Sequence, residues 1–251
     1  MTGPGLAEAV GAGHGVICAV GAGGKKTLLY HLLENHPGRA AMTTTVFTYQ
    51  PPRRLKATLI VDDEAGLRRR VPDTERTPVL YARPSDKAGR LAGVSADTLA
   101  DIHRRGGFGI TVVKADGARM RLIKAPREDE PVVPACADVV LLVSSVHALA
   151  RPLDERIAHR LDRVLALTGM DEGQLLTPAT LARLYTHPEG LARGCGTATA
   201  VPVLNMVDGP TAREAAEETA RHILADGERY DRVVLTSNRA PGLVVGVIHR
   251  S

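Results

Sequence analysis

Tryptophan is absent from this chain of 251 residues, phenylalanine occurs twice and tyrosine five times, so aromatics make up only 3% of it. Proteins that hold single-stranded RNA or DNA stack bases on aromatic side chains, and little material for such platforms is present. The arginines are scattered rather than striped. The net charge of +4 and pI near 9.1 therefore suit small anionic ligands, and no nucleic-acid partner is expected. Cysteine is also scarce: Cys18, Cys136 and Cys195 form no C-x-x-C pair and leave an odd count, which argues against a disulfide framework and a cysteine zinc site. Cys18 sits in an apolar run and reads as core, whereas Cys195, between two glycines, is expected in a flexible, exposed loop. None of the nine histidines forms H-E-x-x-H or another recognisable metal spacing. No apolar run approaches the length that crosses a bilayer, and the first residues lack a basic stretch followed by an apolar one. The expected setting is the cytoplasm, with no membrane partner.

What is plentiful is core-forming material, at 44% hydrophobic against 24% charged residues. The length and balance predict a single α/β domain over residues 1–251. Apolar, β-branched runs recur at Val16–Val20, Ala40–Val46, Thr58–Val61, Val79–Tyr81, Ile110–Val113, Val139–Val143, Val201–Leu204, Val233–Thr236 and Leu243–Ile248, with helical patterns between several of them. Their near-continuous hydrophobicity predicts a mostly parallel sheet flanked by helices, with ligands at the carboxyl ends of the strands. The turn Arg239-Ala240-Pro241-Gly242 is short enough to make the last strand antiparallel to its predecessor. Strand patterning stops at about 151–195, which reads as a small helical insertion: Ile157, Leu161, Val164, Leu165 and Thr168 share a helical face, and Thr177-Pro178 starts a second helix. A further helix over about Thr211–Ala225 turns Ala212, Ala216, Thr219 and Ile223 to the core. No internal repeat or low-complexity tract is present.

The most informative segment is Gly21-Ala22-Gly23-Gly24-Lys25-Lys26-Thr27, directly after the first apolar run. Glycines allow positive φ and close backbone approach, the lysine adds a point charge, and a helix start adds its dipole. The segment reads as a nucleotide phosphate cradle. It departs from G-x-x-x-x-G-K-[ST] by Ala19 in the first glycine position and Lys26 in place of the hydroxyl. Lys25 is the preferred phosphate lysine, with Thr27 or water replacing the missing Mg²⁺ ligand.

Three other constellations follow strands. Asp116-Gly117 ends the Ile110 run, where an acid holds the Mg²⁺ shell in nucleotide-hydrolysing folds; an Asp-Gly turn is the plainer reading. Arg119, with Arg121 and Lys124, is the candidate for neutralising transition-state charge. Asn205-Met206-Val207-Asp208 has the N-x-x-D spacing by which a carboxylate accepts from the paired guanine N–H donors, which adenine cannot offer. The residue after Asn205 is Met206 where such motifs carry lysine. Thr43-Thr44-Thr45 gathers hydroxyls at a strand end, with Thr44 the candidate nucleotide contact; threonine's strand propensity is the alternative.

Taken in order, the glycine loop through Lys25, Thr43-Thr44-Thr45, Lys114-Ala115-Asp116-Gly117-Ala118-Arg119 with Lys124-Ala125-Pro126, Glu130-Pro131-Val132-Val133-Pro134, His159-Arg160 and Asn205-Met206-Val207-Asp208 resemble the YqeC family. The resemblance implies a P-loop-like nucleotide-binding fold and an accessory role in maturing molybdenum hydroxylases, including selenium-dependent ones, so that a hydroxylase or other maturation proteins are the implied partners. Three functions stay open. They are a Mg²⁺-dependent NTPase with GTP favoured over ATP, a small-molecule kinase or ATP-dependent ligase, and a non-catalytic carrier of a molybdenum-cofactor nucleotide.

Overall fold

The computed structural model describes residues 4–226 and 228–250. Its centre is a nine-stranded sheet. In chain order the strands are β1 (Gly15–Gly21), β2 (Ala40–Thr44), β3 (Thr58–Val61), β4 (Val79–Ala82), β5 (Ile110–Lys114), β6 (Val139–Ser145), β7 (Thr199–Asn205), β8 (Arg232–Thr236) and β9 (Val244–His249). Across the sheet they run β9-β8-β7-β6-β1-β5-β2-β4-β3. All neighbours are parallel except β9, which pairs antiparallel with β8. Each of the nine apolar runs in the sequence has become one of these strands.

The helices are α1 (Leu6–Ala9), α2 (Lys25–Asn35), α3 (Glu64–Arg70), α4 (Ala96–Arg105), α5 (Leu161–Thr168), α6 (Pro178–Thr186) and α7 (Pro210–Ala225). Strand residues alternate between two cores because successive side chains point to opposite faces. Ile17 and Ala19 of β1 pack with Leu28, Leu29, Leu32 and Leu33 of α2, whereas Val16, Cys18 and Val20 join the core that also takes Leu99, Leu161, Leu181 and Ile223 from α4 to α7. Each fully buried leucine of α2 contributes about 1.5–3 kcal/mol relative to exposure, which anchors the helix whose first turn faces the glycine loop.

Helices α5 and α6 lie between β6 and β7 and join the same core as α7. Thr177 caps α6 with Pro178 in the first turn, and a reciprocal bond with Thr180 completes the box. Ile157 departs from expectation, since it precedes α5 rather than belonging to it. Its carbonyl accepts from the N–H groups of Leu122 and Ile123, tying in a short parallel ribbon of Ile123–Lys124 with Ala158–His159. A second ribbon pairs Thr48–Tyr49 with Arg90–Leu91. Cys195 also departs from expectation: it is buried, and burial pushes its thiol up to about 11. No helix among the described residues is long and apolar enough to cross a membrane.

From β1 the chain crosses to β2 on one side, while β5, lying between them, sends it back to β6 on the other side of β1. Adjacent strands with oppositely directed exits leave a crevice at their carboxyl ends, the usual ligand position in open α/β sheets. Gly21 ends β1 there, and Asp116 lies just beyond β5.

Candidate functional site

Gly21, Gly23 and Gly24 all have positive φ, at 90°, 77° and 123°. At all three the space is filled as well, a Cβ on Gly23 coming within 2.6 Å of Ser145 N. A Cβ on Gly21 would lie 2.2 Å from the Val143 carbonyl oxygen, and one on Gly24 would lie 2.0 Å from Asn205 Nδ2. The loop is held from three directions: Gly21 N donates to Asp116 Oδ2 at 2.8 Å, Ala22 N to Val143 O at 2.8 Å, and Gly23 N to Arg121 O at 3.1 Å. These amides are thus spent on the protein and do not converge on one point, unlike the cradle expected from the sequence. The N–H groups of Gly24, Lys25 and Lys26 find no acceptor among the described residues. They are the orphan donors of the α2 N-terminus.

Lys25 is buried and folds back, donating from Nζ to Gly21 O and lying 2.9 Å from Asp116 Oδ1. Among the described residues this ammonium is the ionic partner of the buried Oδ1, which has no other hydrogen-bond donor. Oδ2 lies 3.0 Å from Nζ of Lys124, a fully buried lysine that also donates to Gly117 O at 2.7 Å and Glu130 Oε2 at 2.5 Å. Glu130 Oε1 in turn accepts from Arg160 at 2.8 Å. Lys25, Asp116, Lys124, Glu130 and Arg160 thus form an alternating ionic chain with one excess positive charge. Burial drives the Asp116 carboxyl up, but Lys25 and Lys124 outweigh it and hold the group below its ordinary range. Burial pulls Lys25 down, opposed by Asp116.

Asn205, fully buried, donates to Gly23 O at 2.7 Å and accepts from the Thr236 hydroxyl at 2.9 Å. Its amide therefore fastens the end of β7 to the glycine loop. Three residues on, Asp208 accepts from Ser237 at 2.5 Å and has His147 at 3.6 Å and Arg239 at 3.7 Å from Oδ2. Met206 takes a hydrogen bond from the Ser145 hydroxyl. Arg119 is exposed, with φ of 44°. Lys26 is half-buried, its ammonium 5.8 Å from the Tyr49 ring centre. Thr27 is also half-buried, and its N–H donates to Gly24 O. The Thr44 hydroxyl bonds Lys114 O at 2.8 Å and lies against the Val46 carbonyl, so it braces β2 against β5. Thr43 and Thr45 likewise donate to the carbonyls of Tyr81 and Val132.

Sequence reasoning passed over Lys114 as a site residue in its own right. It ends β5 with only 8% exposure, donates to Phe47 O at 3.1 Å, and is pushed down to about 7 by burial and then by Lys25. A lysine closing an otherwise apolar run was the available signal. No cluster of three or more His, Cys, Asp or Glu side chains able to hold a metal occurs among the described residues. A Mg²⁺ site of the nucleotide type needs only one or two carboxylates besides phosphate oxygens, and Asp116, whose Oδ1 is paired with the Lys25 ammonium, is one such carboxylate at the end of β5.

The family model described as YqeC protein matches residues 17–162. The chain is also 28% identical over 190 residues to "Uncharacterized protein YqeC" of Escherichia coli (strain K12), covering 72% of each chain. No solved structure matches significantly.

Proposed function

The chain belongs to the YqeC family, and on that premise we propose that it binds a nucleoside triphosphate, GTP in preference to ATP, and acts as a slow Mg²⁺-dependent NTPase in the maturation of molybdenum hydroxylases. The observation that carries the nucleotide reading is the meeting of Lys25 with Asp116 at the switch point of the sheet, beside unpaired helix N–H groups. The hydroxylase role comes from the family resemblance.

In this reading the phosphates take the N–H groups of Gly24, Lys25 and Lys26, and Lys25 exchanges Asp116 for phosphate oxygens. Asp116 and Thr27 are the residues to hold Mg²⁺, which when bound neutralises phosphate charge. Lys124 keeps Asp116 ionised, so the carboxylate is ready as Lys25 leaves. Asn205 fixes the loop. Asp208 accepts the paired N–H donors of guanine, and Arg119 at the exposed turn offers charge to the terminal phosphate.

Equilibrium binding of fluorescent GTP and ATP analogues, with and without Mg²⁺, tests this. Lys25→Ala should weaken both at least tenfold, and Asp208→Asn should weaken GTP alone. Unchanged affinity in Lys25→Ala, or equal losses for both nucleotides in Asp208→Asn, would overturn the corresponding assignment.

A further inference from the structure

The sheet ends laterally in β3 on one side and β9 on the other, and an edge strand presents N–H and C=O groups that another strand can take. The β9 edge is obstructed. Its pairing with β8 shifts register between Leu235 and Thr236, and its Val245 carbonyl accepts from the Arg213 guanidinium at 3.1 Å. A bulge and a covering side chain thus both disturb that edge.

Neither device is present at β3. Thr58 N donates to Pro78 O at 3.0 Å and Asp62 N to Ala82 O at 3.3 Å, both toward β4. Backbone groups alternate sides along a strand, so the N–H and C=O groups of Leu59 and Val61 point away from β4, where no backbone partner occurs among the described residues. The strand itself, Thr-Leu-Ile-Val, contains neither a charge nor a proline, and the Leu59 and Val61 side chains are both 38% exposed.

The two ends of β3 carry opposite charge. Exposed Arg53 and Lys56 precede it, and Asp62 and Asp63 follow it. Asp62 keeps Arg70 at 2.9 Å, and Asp63 caps α3 while staying exposed. A parallel neighbour of the same sequence would set like charges together. An antiparallel one sets each basic end beside the other's acidic end and holds the Leu59 and Val61 side chains of both strands on one face, where cross-strand apolar pairs stabilise a sheet.

We propose that β3 is an interaction edge whose partner is a second copy of this chain, paired antiparallel about a two-fold axis near Leu59 and Ile60. The outward backbone groups of Leu59 and Val61 bond across the junction, and the two sheets become one. Their carboxyl ends then point in opposite directions, so the crevice of each copy stays open. The inference is independent of the nucleotide reading.

A junction between strands of four residues is small, so the expected association is weak, in the micromolar range. Sedimentation equilibrium of the nucleotide-free protein, from micromolar to submillimolar concentration, tests it and should show a monomer–dimer equilibrium with no larger species. Leu59→Pro removes an outward N–H and leaves the bonds to β4 intact, and it should weaken the dimer about tenfold or more. Val61→Lys places a charge on the edge and should act likewise, which keeps the test open if Leu59→Pro does not fold by circular dichroism. Lys56→Glu should weaken the dimer and reduce its sensitivity to salt. A monomer at every concentration would overturn the proposal and leave the edge to a strand of another protein. Growth beyond the dimer, or a dimer unchanged in the folded edge variants, would also overturn it by assigning the contact to another surface.

Discussion

Replacing Lys124 by methionine removes the middle link of the buried ionic chain while nearly conserving side-chain volume. Asp116, 2% exposed, would lose its 3.0 Å partner, and Glu130, 13% exposed, its 2.5 Å partner. Breaking a buried ion pair by deleting one member costs about 3–5 kcal/mol, because the remaining charge stays desolvated. For a chain of this size that corresponds to a fall in Tm of roughly 6–20 °C, a large share of a stability of about 5–15 kcal/mol. Urea and thermal unfolding, followed by circular dichroism, would measure it. Adding Glu130→Gln should recover part of the loss, with a coupling of about 0.5–3 kcal/mol between the two positions. The pH dependence has a definite sign. Without Lys124 the native Asp116 carboxyl moves up, the native state gains proton affinity, and the difference from wild type narrows as pH falls. A loss below about 1 kcal/mol, as for exposed pairs, would refute the reasoning by showing that water solvates the chain of charges.

Two further outcomes follow from the same geometry. Gly24→Ala should lower stability and loosen the loop, because φ of 123° disfavours a side chain and the new Cβ meets Asn205 Nδ2 at 2.0 Å. The loss should shrink in an Asn205→Ala background, and strict additivity in unfolding measurements would show that the clash is not the cause. His159 is pushed down to about 4 by burial and then by Lys124, Arg160 and Arg119. The unfolded chain takes up this proton first, so stability should decline as pH falls from about 6.5 toward 4. An NMR titration placing His159 near the ordinary imidazole value would contradict this.

The strands were legible because parallel strands covered on both faces leave uninterrupted apolar runs, and nine such runs stood out. Their lateral order was not, since nothing local tells β5 to enter between β1 and β2. Lys25 and Asp116 could be named from glycine-rich and Asp-Gly signals. Their contact with Lys124, Glu130 and Arg160 could not, because it joins segments brought together by the Ile123–Lys124 ribbon with Ala158–His159. Cys195 misled for a similar reason: flanking glycines suggested exposure, while the packing of Leu191 and Ala192 beside it puts the thiol in the core. The sequence pointed Asn205 toward a base; that its amide also bonds Gly23 and Thr236 was not legible, because both partners are remote in the chain.

The bond from Asn205 to Gly23 spans 182 residues, joining a glycine inside the segment matched by the family model to a donor beyond its end. A polypeptide emerging during synthesis acquires Lys25 early and Asp116 near the midpoint. The amide that clamps the loop arrives only when β7 joins the sheet. Contacts this distant in sequence form late and slowly, so the loop remains unlatched through most of chain growth. On the proposed nucleotide reading, competence for ligand would then wait for β7 to dock, and a chain cut before Asn205 would hold nucleotide more weakly than one that carries it.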